Sequence, residues 1–153
     1  MTRPRTYQSL GILMKFHAFP GDVQDKFCLV EAVVPPGLGA PPNHHAGETE
    51  AFYVLDGEID FRFGTEPFTA KAGDYVAVPD GAVHAFSARG PSPARILILN
   101  APGHMHERFF TELGEPVADE TREPAGMDGP PDVGRIVKTA EAVGMTILPP
   151  PGH

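Results

Sequence analysis

The sequence predicts an all-β barrel followed by a short helical appendage at its C-terminal end. Three observations carry that expectation. Seventeen glycines and eighteen prolines make up about a quarter of the 153 residues, roughly twice the average share, so tight turns are frequent. The apolar runs between those turns have strand length rather than helix length. Helical spacing begins only beyond Pro102-Gly103. The length suits one core and one domain.

Leu10 to Phe16 is apolar and is bounded by Pro20-Gly21-Asp22, a strand followed by a turn. Phe27 to Val34 is a second strand, apolar on both faces and stopped by Pro35-Pro36-Gly37. Within it, Glu31 is expected to be salt-bridged or at an edge. Gly39 to His45 is a stiff approach to a strand over Glu50 to Leu55. Asp56-Gly57 is a two-residue hairpin signal. It leads to Glu58–Phe63, where Ile59, Phe61 and Phe63 alternate toward a core and Asp60 and Arg62 toward water. Gly64 to Pro67 turns the chain again. Phe68–Ala70, Tyr75–Val78, Val83–Ser87 and the very apolar Arg95–Asn100 follow as strands.

The pattern then changes. Glu107 to Leu113 has helical spacing, with Phe109, Phe110 and Leu113 on one side and Gly114 as a stop. Asp119 to Pro131 reads as an irregular loop. Asp132 to Val143 reads as a helix capped by Asp132 or its neighbour, striped by Ile136, Ala140 and Val143, and closed by Gly144. Ile147-Leu148 and the prolines after them are expected to pack on the outside or on a partner chain. Residues 1–103 form the barrel in this reading, and 104–153 the helices and proline-rich tail packed on it, one domain overall.

The formal net charge is −8, with no basic run, so nucleic acid is not an expected partner. No apolar stretch approaches the roughly 18 residues of a membrane span. Met1 to Arg5 is basic but leads to no apolar leader core, so export is not expected. A single cysteine, Cys28, cannot form an internal disulfide, which fits a cytoplasmic location. Its apolar strand makes it an inert core thiol rather than a nucleophile.

Chemistry concentrates around Pro41–Gly57. Asn43 and His45 are two apart and face the same way on an extended segment. Glu50 follows across a small loop, and His84 comes 34 residues later, one strand beyond Pro79-Asp80-Gly81. Two imidazoles and one carboxylate leave coordination positions open, the pattern of non-haem iron oxygenases. Spacing alone also admits a solvated loop carrying His44 and His45 and an unrelated His84.

Here the sequence resembles a family. Gly39 through Glu50, with Gly57, resembles the first cupin motif: a glycine, about five residues, His-x-His, three or four residues, a glutamate, six residues and a glycine. Gly73, Pro79-Asp80-Gly81 and His84 resemble the second motif, whose terminal asparagine is Ala88 here. The match runs over roughly residues 27 to 100. Phe52 to Glu58 and His106 to Phe110 look most like the bacterial cupins similar to quercetin dioxygenase. The resemblance implies a cupin barrel (a double-stranded β-helix, or jelly roll). It also implies one divalent transition metal in the mouth (Fe, Ni or Mn, with Zn as a further option) and a homodimer.

The motif's second histidine falls on His45, its glutamate on Glu50 and the second-motif histidine on His84. Its first histidine falls on Asn43, which is the departure. Three outcomes stay open: a three-residue metal site with or without the Asn43 amide, a local slip at Pro42 that brings His44 inward, or an empty site. Strand parity places Phe52 and Val54 with Glu50, and Phe86 with His84. They either line an apolar substrate pocket or simply fill the barrel. His104 and His106, at the start of the predicted helix, form either a second metal pair or part of the rim.

The functional expectation is a metal-dependent dioxygenase, an oxidoreductase acting on a small, partly apolar, oxygen-chelating ligand, with Glu50 made more basic by burial and serving as a base. A metal-dependent isomerase or lyase fits the same residues. Asn43 favours a third reading, a non-catalytic small-molecule binder. A structural or storage role is a fourth.

Overall fold

The computed structural model describes residues 3–64 and 66–148. The prolines at 149–151 and His153, part of the expected tail, lie outside the described residues.

The chain enters through β1 (Thr6–Ser9) and β2 (Ile12–Ala18). The two pair as a hairpin whose turn, Leu10-Gly11, has positive φ at both residues (52° and 79°), the geometry whose twist matches paired strands. The expected first strand therefore begins two residues late, and β1 was not foreseen: Thr6 and Ser9 are polar yet buried. A 3-10 turn at Pro20–Val23 leads to β3 (Cys28–Val34). Cys28, Val30, Ala32 and Val34 point inward, and Leu29, Glu31 and Val33 are half-buried on the other face. Glu31 bonds Arg95 (2.8 Å) and His17 (2.9 Å). It is salt-bridged as expected, but in the middle of a sheet.

β4 (Gly39–His44), β5 (Thr49–Asp56), β6 (Glu58–Arg62), β7 (Phe68–Lys71), β8 (Tyr75–Val78), β9 (His84–Ala88) and β10 (Ala94–Ala101) follow. Next come helix α1 (His104–Leu113), β11 (Glu115–Pro116), helix α2 (Val133–Val143) and β12 (Thr146–Ile147). One sheet has the order β11-β1-β2-β3-β10-β5-β8 and the other β12-β4-β9-β6-β7. The predicted hairpin at Asp56-Gly57 does not form. β5 pairs with β10 and β8, whereas β6 pairs with β7 and β9. Gly57 (φ 79°) turns the chain from one sheet to the other, and a Cβ there would sit 2.9 Å from the Ala94 Cα. Local turn chemistry specified the bend, and the sheets decided its partners.

The inner rows meet in one core. Phe52 packs on Phe61 and Phe86 with ring centroids 5.1 and 5.3 Å apart, and Ile59, Val54, Val30 and Ile96 close the space between the sheets. The appendage docks through both its helices. Phe110 of α1 faces Phe16 of the barrel, while Met105 and Phe109 pack with Ala140, Val143 and Met145 of the α2 region. Asp132 accepts the Arg135 amide, as its capping role requires. β12 pairs with Asn43 and His44 of β4, so Ile147 returns to the barrel wall. Among the described residues no helix is long and apolar enough to cross a membrane.

Candidate metal centre

Five segments deliver side chains to one end of the barrel. β5 and β10 are antiparallel with Glu50 opposite Asn100, so both side chains lie on one face. Asn100 ends the inward row Ala94, Ile96, Ile98 and is fully buried. Its amide donates to Glu50 Oε2 at 2.8 Å. His84 opens β9 directly after the Pro79-Asp80-Gly81 turn, and His45 follows the last residue of β4.

The β4–β9 register shifts between Ala40 and Asn43. One extra residue on β4, at Pro41-Pro42, therefore bulges out, since proline cannot donate to the ladder. A slip at Pro42 was one expectation. It does not turn His44 inward. It sets Asn43 opposite His84 and delivers His45 to the centre, while His44 pairs with Thr146 of β12. Asn43 gives its amide hydrogens to the carbonyls of Pro41 (2.8 Å) and His84 (3.2 Å).

Glu50 is the hub. His84 Nε2 lies 2.8 Å from its Oε1, His45 Nε2 3.5 Å from the same oxygen, and His106 Nε2 3.2 Å from Oε2. The donor atoms of His45, Glu50 and His106 all fall within 4.8 Å of one another. The four side chains are between 3% and 7% exposed. His106 was expected beside His104, in a second metal pair or on the rim. α1 begins at His104 rather than at Glu107, and residues two apart on a helix diverge. His104 turns out toward Asp25 (3.4 Å) at half exposure, while His106 turns in.

Each imidazole is held by its other nitrogen. His45 Nδ1 donates to the Glu48 carbonyl (3.2 Å) and His84 Nδ1 to the Ala82 carbonyl (2.9 Å). A carbonyl can only accept, so Nδ1 carries a proton and Nε2 faces inward, with its lone pair free in the neutral ring. His106 Nδ1 bonds the Glu48 carboxylate. Glu48, read from the sequence only as part of a loop, is 2% exposed. It also accepts the amides of Gly103 (3.0 Å), Met105 (3.1 Å) and His106 (3.1 Å), and so holds the start of α1.

Burial is the largest influence on Glu50 and raises its pKa. The charge and hydrogen bond of His106, with the nearby His45 imidazole and the bond of His84, outweigh it and hold the carboxyl well below its ordinary value. The expected gain in basicity is therefore reversed: the surroundings favour the carboxylate. Burial alone would keep His106 neutral, but Glu50 and Glu48 push it up to about 9. His84 is likewise raised: burial, the largest influence, is outweighed by the Glu50 bond, the Ala82 carbonyl and the Glu50 charge together.

These groups fit a transition metal. With the rings neutral, the inward Nε2 atoms and the carboxylate oxygens are all acceptors, and such a set is satisfied only by protons or a cation. His45 Nε2 is buried with no hydrogen-bond partner among the described residues. Nδ1 anchoring by carbonyl or carboxylate is the outer-sphere pattern of metal-bound histidine.

Phe52 and Val54 are almost wholly buried and belong to the core, and Phe86 packs against them. Neither Phe52 nor Val54 lines the cleft of about 390 Å³ beside the centre, whose walls include Pro42, Arg62, Phe63, Val83, His84 and Ala85.

Residues 30–100 match a family model described as Cupin domain. The chain is 26% identical over 127 residues to quercetin 2,3-dioxygenase of Bacillus subtilis, covering 82% of this chain and 36% of that protein. It is 40% identical over 67 residues to germin-like protein subfamily 2 member 2 of Arabidopsis thaliana, covering 40% of this chain and 31% of that one. The chain thus spans about a third of the length of these curated relatives. A solved structure from Thermotoga maritima, described as a predicted oxalate decarboxylase, superposes with a TM-score of 0.60 at 21% identity, over 66% of this chain and 97% of that one.

Proposed function

The chain belongs to the cupin superfamily, and on that premise we propose that it is a metal-dependent dioxygenase acting on a small, partly apolar, oxygen-chelating substrate. The observation that carries this reading is the buried convergence of imidazole nitrogens on Glu50, with His45 Nε2 unpartnered. His45, Glu50 and His84 hold a divalent transition metal. Mixed imidazole and carboxylate donors suit Fe, Mn or Ni, and Zn also fits. Such a metal would supply Lewis-acid polarisation of the substrate's chelating oxygens.

The chain's own residues do the rest. The Ala82 and Glu48 carbonyls fix the His84 and His45 rings, and Asn100 fixes the Glu50 carboxylate. Pro42, Phe63 and Val83 offer apolar walls beside His84, so the substrate's apolar part lies there with its oxygens directed past that ring. The likeness to quercetin 2,3-dioxygenase supports oxygen chemistry.

The test is elemental analysis of protein purified without an affinity tag or added metal, beside His84→Ala, followed by oxygen uptake with flavonols, diketones and catechols. Near-stoichiometric metal that is lost in the variant, with uptake on at least one chelating class, is the expected result. A wild-type chain that takes up no Fe, Mn, Ni or Zn overturns the reading and leaves a non-catalytic binder. That second reading draws its support from Asn43, whose amide is engaged with backbone carbonyls.

A further inference from the structure

Asn43 stands opposite His84 on β4 and β9, and cross-strand partners share a face. A side chain at position 43 thus belongs to the same inner face as the His84 imidazole, yet here it is an amide tied to the Pro41 and His84 carbonyls. The barrel supplies two imidazoles to the centre. The third arrives from outside the barrel, on α1.

We propose that His106 takes the coordination place that Asn43 leaves, so that one metal is held jointly by the barrel and the C-terminal helix. This rests on the metal reading above and deepens it. Three observations carry it. His106 Nε2, Glu50 and His45 lie within mutual ligating distance. The His106 and His45 ring centroids are 4.6 Å apart with their planes at 88°, close enough for both rings to reach one ion. The Glu48 carboxylate fixes His106 through Nδ1 and fixes α1 through three backbone amides, so the ring cannot shift without the helix.

A metal-free alternative uses the same atoms. Protonated His106 between Glu48 and Glu50 is a buried ion triad, satisfied at both ring nitrogens. That arrangement leaves His45 Nε2 without a partner 3.5 Å from Glu50. A cation bound at the Nε2 atoms of both rings gives the orphan its partner, and a triad does not. Metal binding should then order α1 and, through Met105 and Phe109, the α2 packing behind it.

The experiment uses the full chain stripped of metal and titrated with Mn(II) and Co(II), followed by calorimetry and, for Co(II), visible absorption. Hydrogen exchange of residues 103–113 is measured with and without metal. His106→Ala should bind more than ~100-fold more weakly, beyond the ~10–100-fold typical of losing an outer-sphere partner. Metal should slow exchange in 103–113 of the wild type and not in the variant. Asn43→His/His106→Ala should regain affinity without regaining protection of α1, which separates ligand loss from misfolding. Circular dichroism of His106→Gln provides a second check that the barrel persists. Wild-type affinity in folded His106→Ala or His106→Gln, or metal binding to the wild type with no protection of 103–113, overturns the inference and leaves the three-residue centre standing. A wild type that binds no metal overturns both.

Discussion

At the scale of single residues, burial and charge do opposite things to neighbouring groups. Cys28 is fully buried on β3, and burial, with Glu107 and Glu48 adding to it, pushes its thiol up to about 12. The folded chain keeps that proton to higher pH than the unfolded chain, whose thiol titrates near ~8.5. Its contribution to stability is therefore complete below that value and is lost as pH rises toward about 12. Native protein at pH 8 should leave a disulfide reagent unreacted, with full reaction only on unfolding; rapid native labelling would show the thiol to be accessible. Glu50 is also buried, but its imidazole neighbours reverse the effect of burial. Sequence could name Glu50 as a member of the site. It could not tell a raised carboxyl from a lowered one, because that depends on His106, 56 positions away.

At the scale of elements, the start of α1 matters most. Gly103 precedes the helix at φ 97°, where an L side chain is strained. A Cβ there would lie 2.5 Å from the Cys28 Cβ and 2.8 Å from the Asn100 carbonyl. Gly103→Ala should cost ~1–3 kcal/mol in urea unfolding and shift the amides that bind Glu48, lowering metal affinity together with stability. Unchanged affinity would mean that α1 does not position the centre. The helix itself was legible from Phe109, Phe110, Leu113 and Gly114, but its first turn was not. Gly103 and His104 carry no propensity for it, and the Glu48 carboxylate that accepts the Gly103, Met105 and His106 amides is distant in sequence. β1 escaped notice for a similar reason: Thr6 and Ser9 are polar, and their burial depends on pairing with β2 and, at Tyr7, with β11.

At the scale of the whole molecule, two sheets meet over an aromatic centre. Phe61 touches Phe52, Phe68 and Phe86 with ring centroids 5.1, 5.6 and 6.0 Å away. Phe61→Ala should cost ~3–5 kcal/mol, read as a lowered denaturation midpoint with little change in slope. A loss below ~1 kcal/mol would mean that the barrel collapses around the gap. Phe52 and Val54 belong to this packing, which separates the filled barrel from the cleft beside His84. Strand parity placed both on the inner face, but parity does not say whether an inner face is filled or open.

The sequence by itself determined most of the barrel strands, because alternation, chain-stopping prolines and glycine turns are local signals. Through their resemblance to the two cupin motifs it also marked His45, Glu50 and His84, where spacing alone left an unrelated His84 open. Tertiary structure alone decided which strands the Asp56-Gly57 bend would join, that Pro41-Pro42 would bulge from β4, and that His106 would meet Glu50. Those outcomes depend on sheet registry and helix docking. Both are set by packing between segments tens of residues apart, where no local spacing rule reaches.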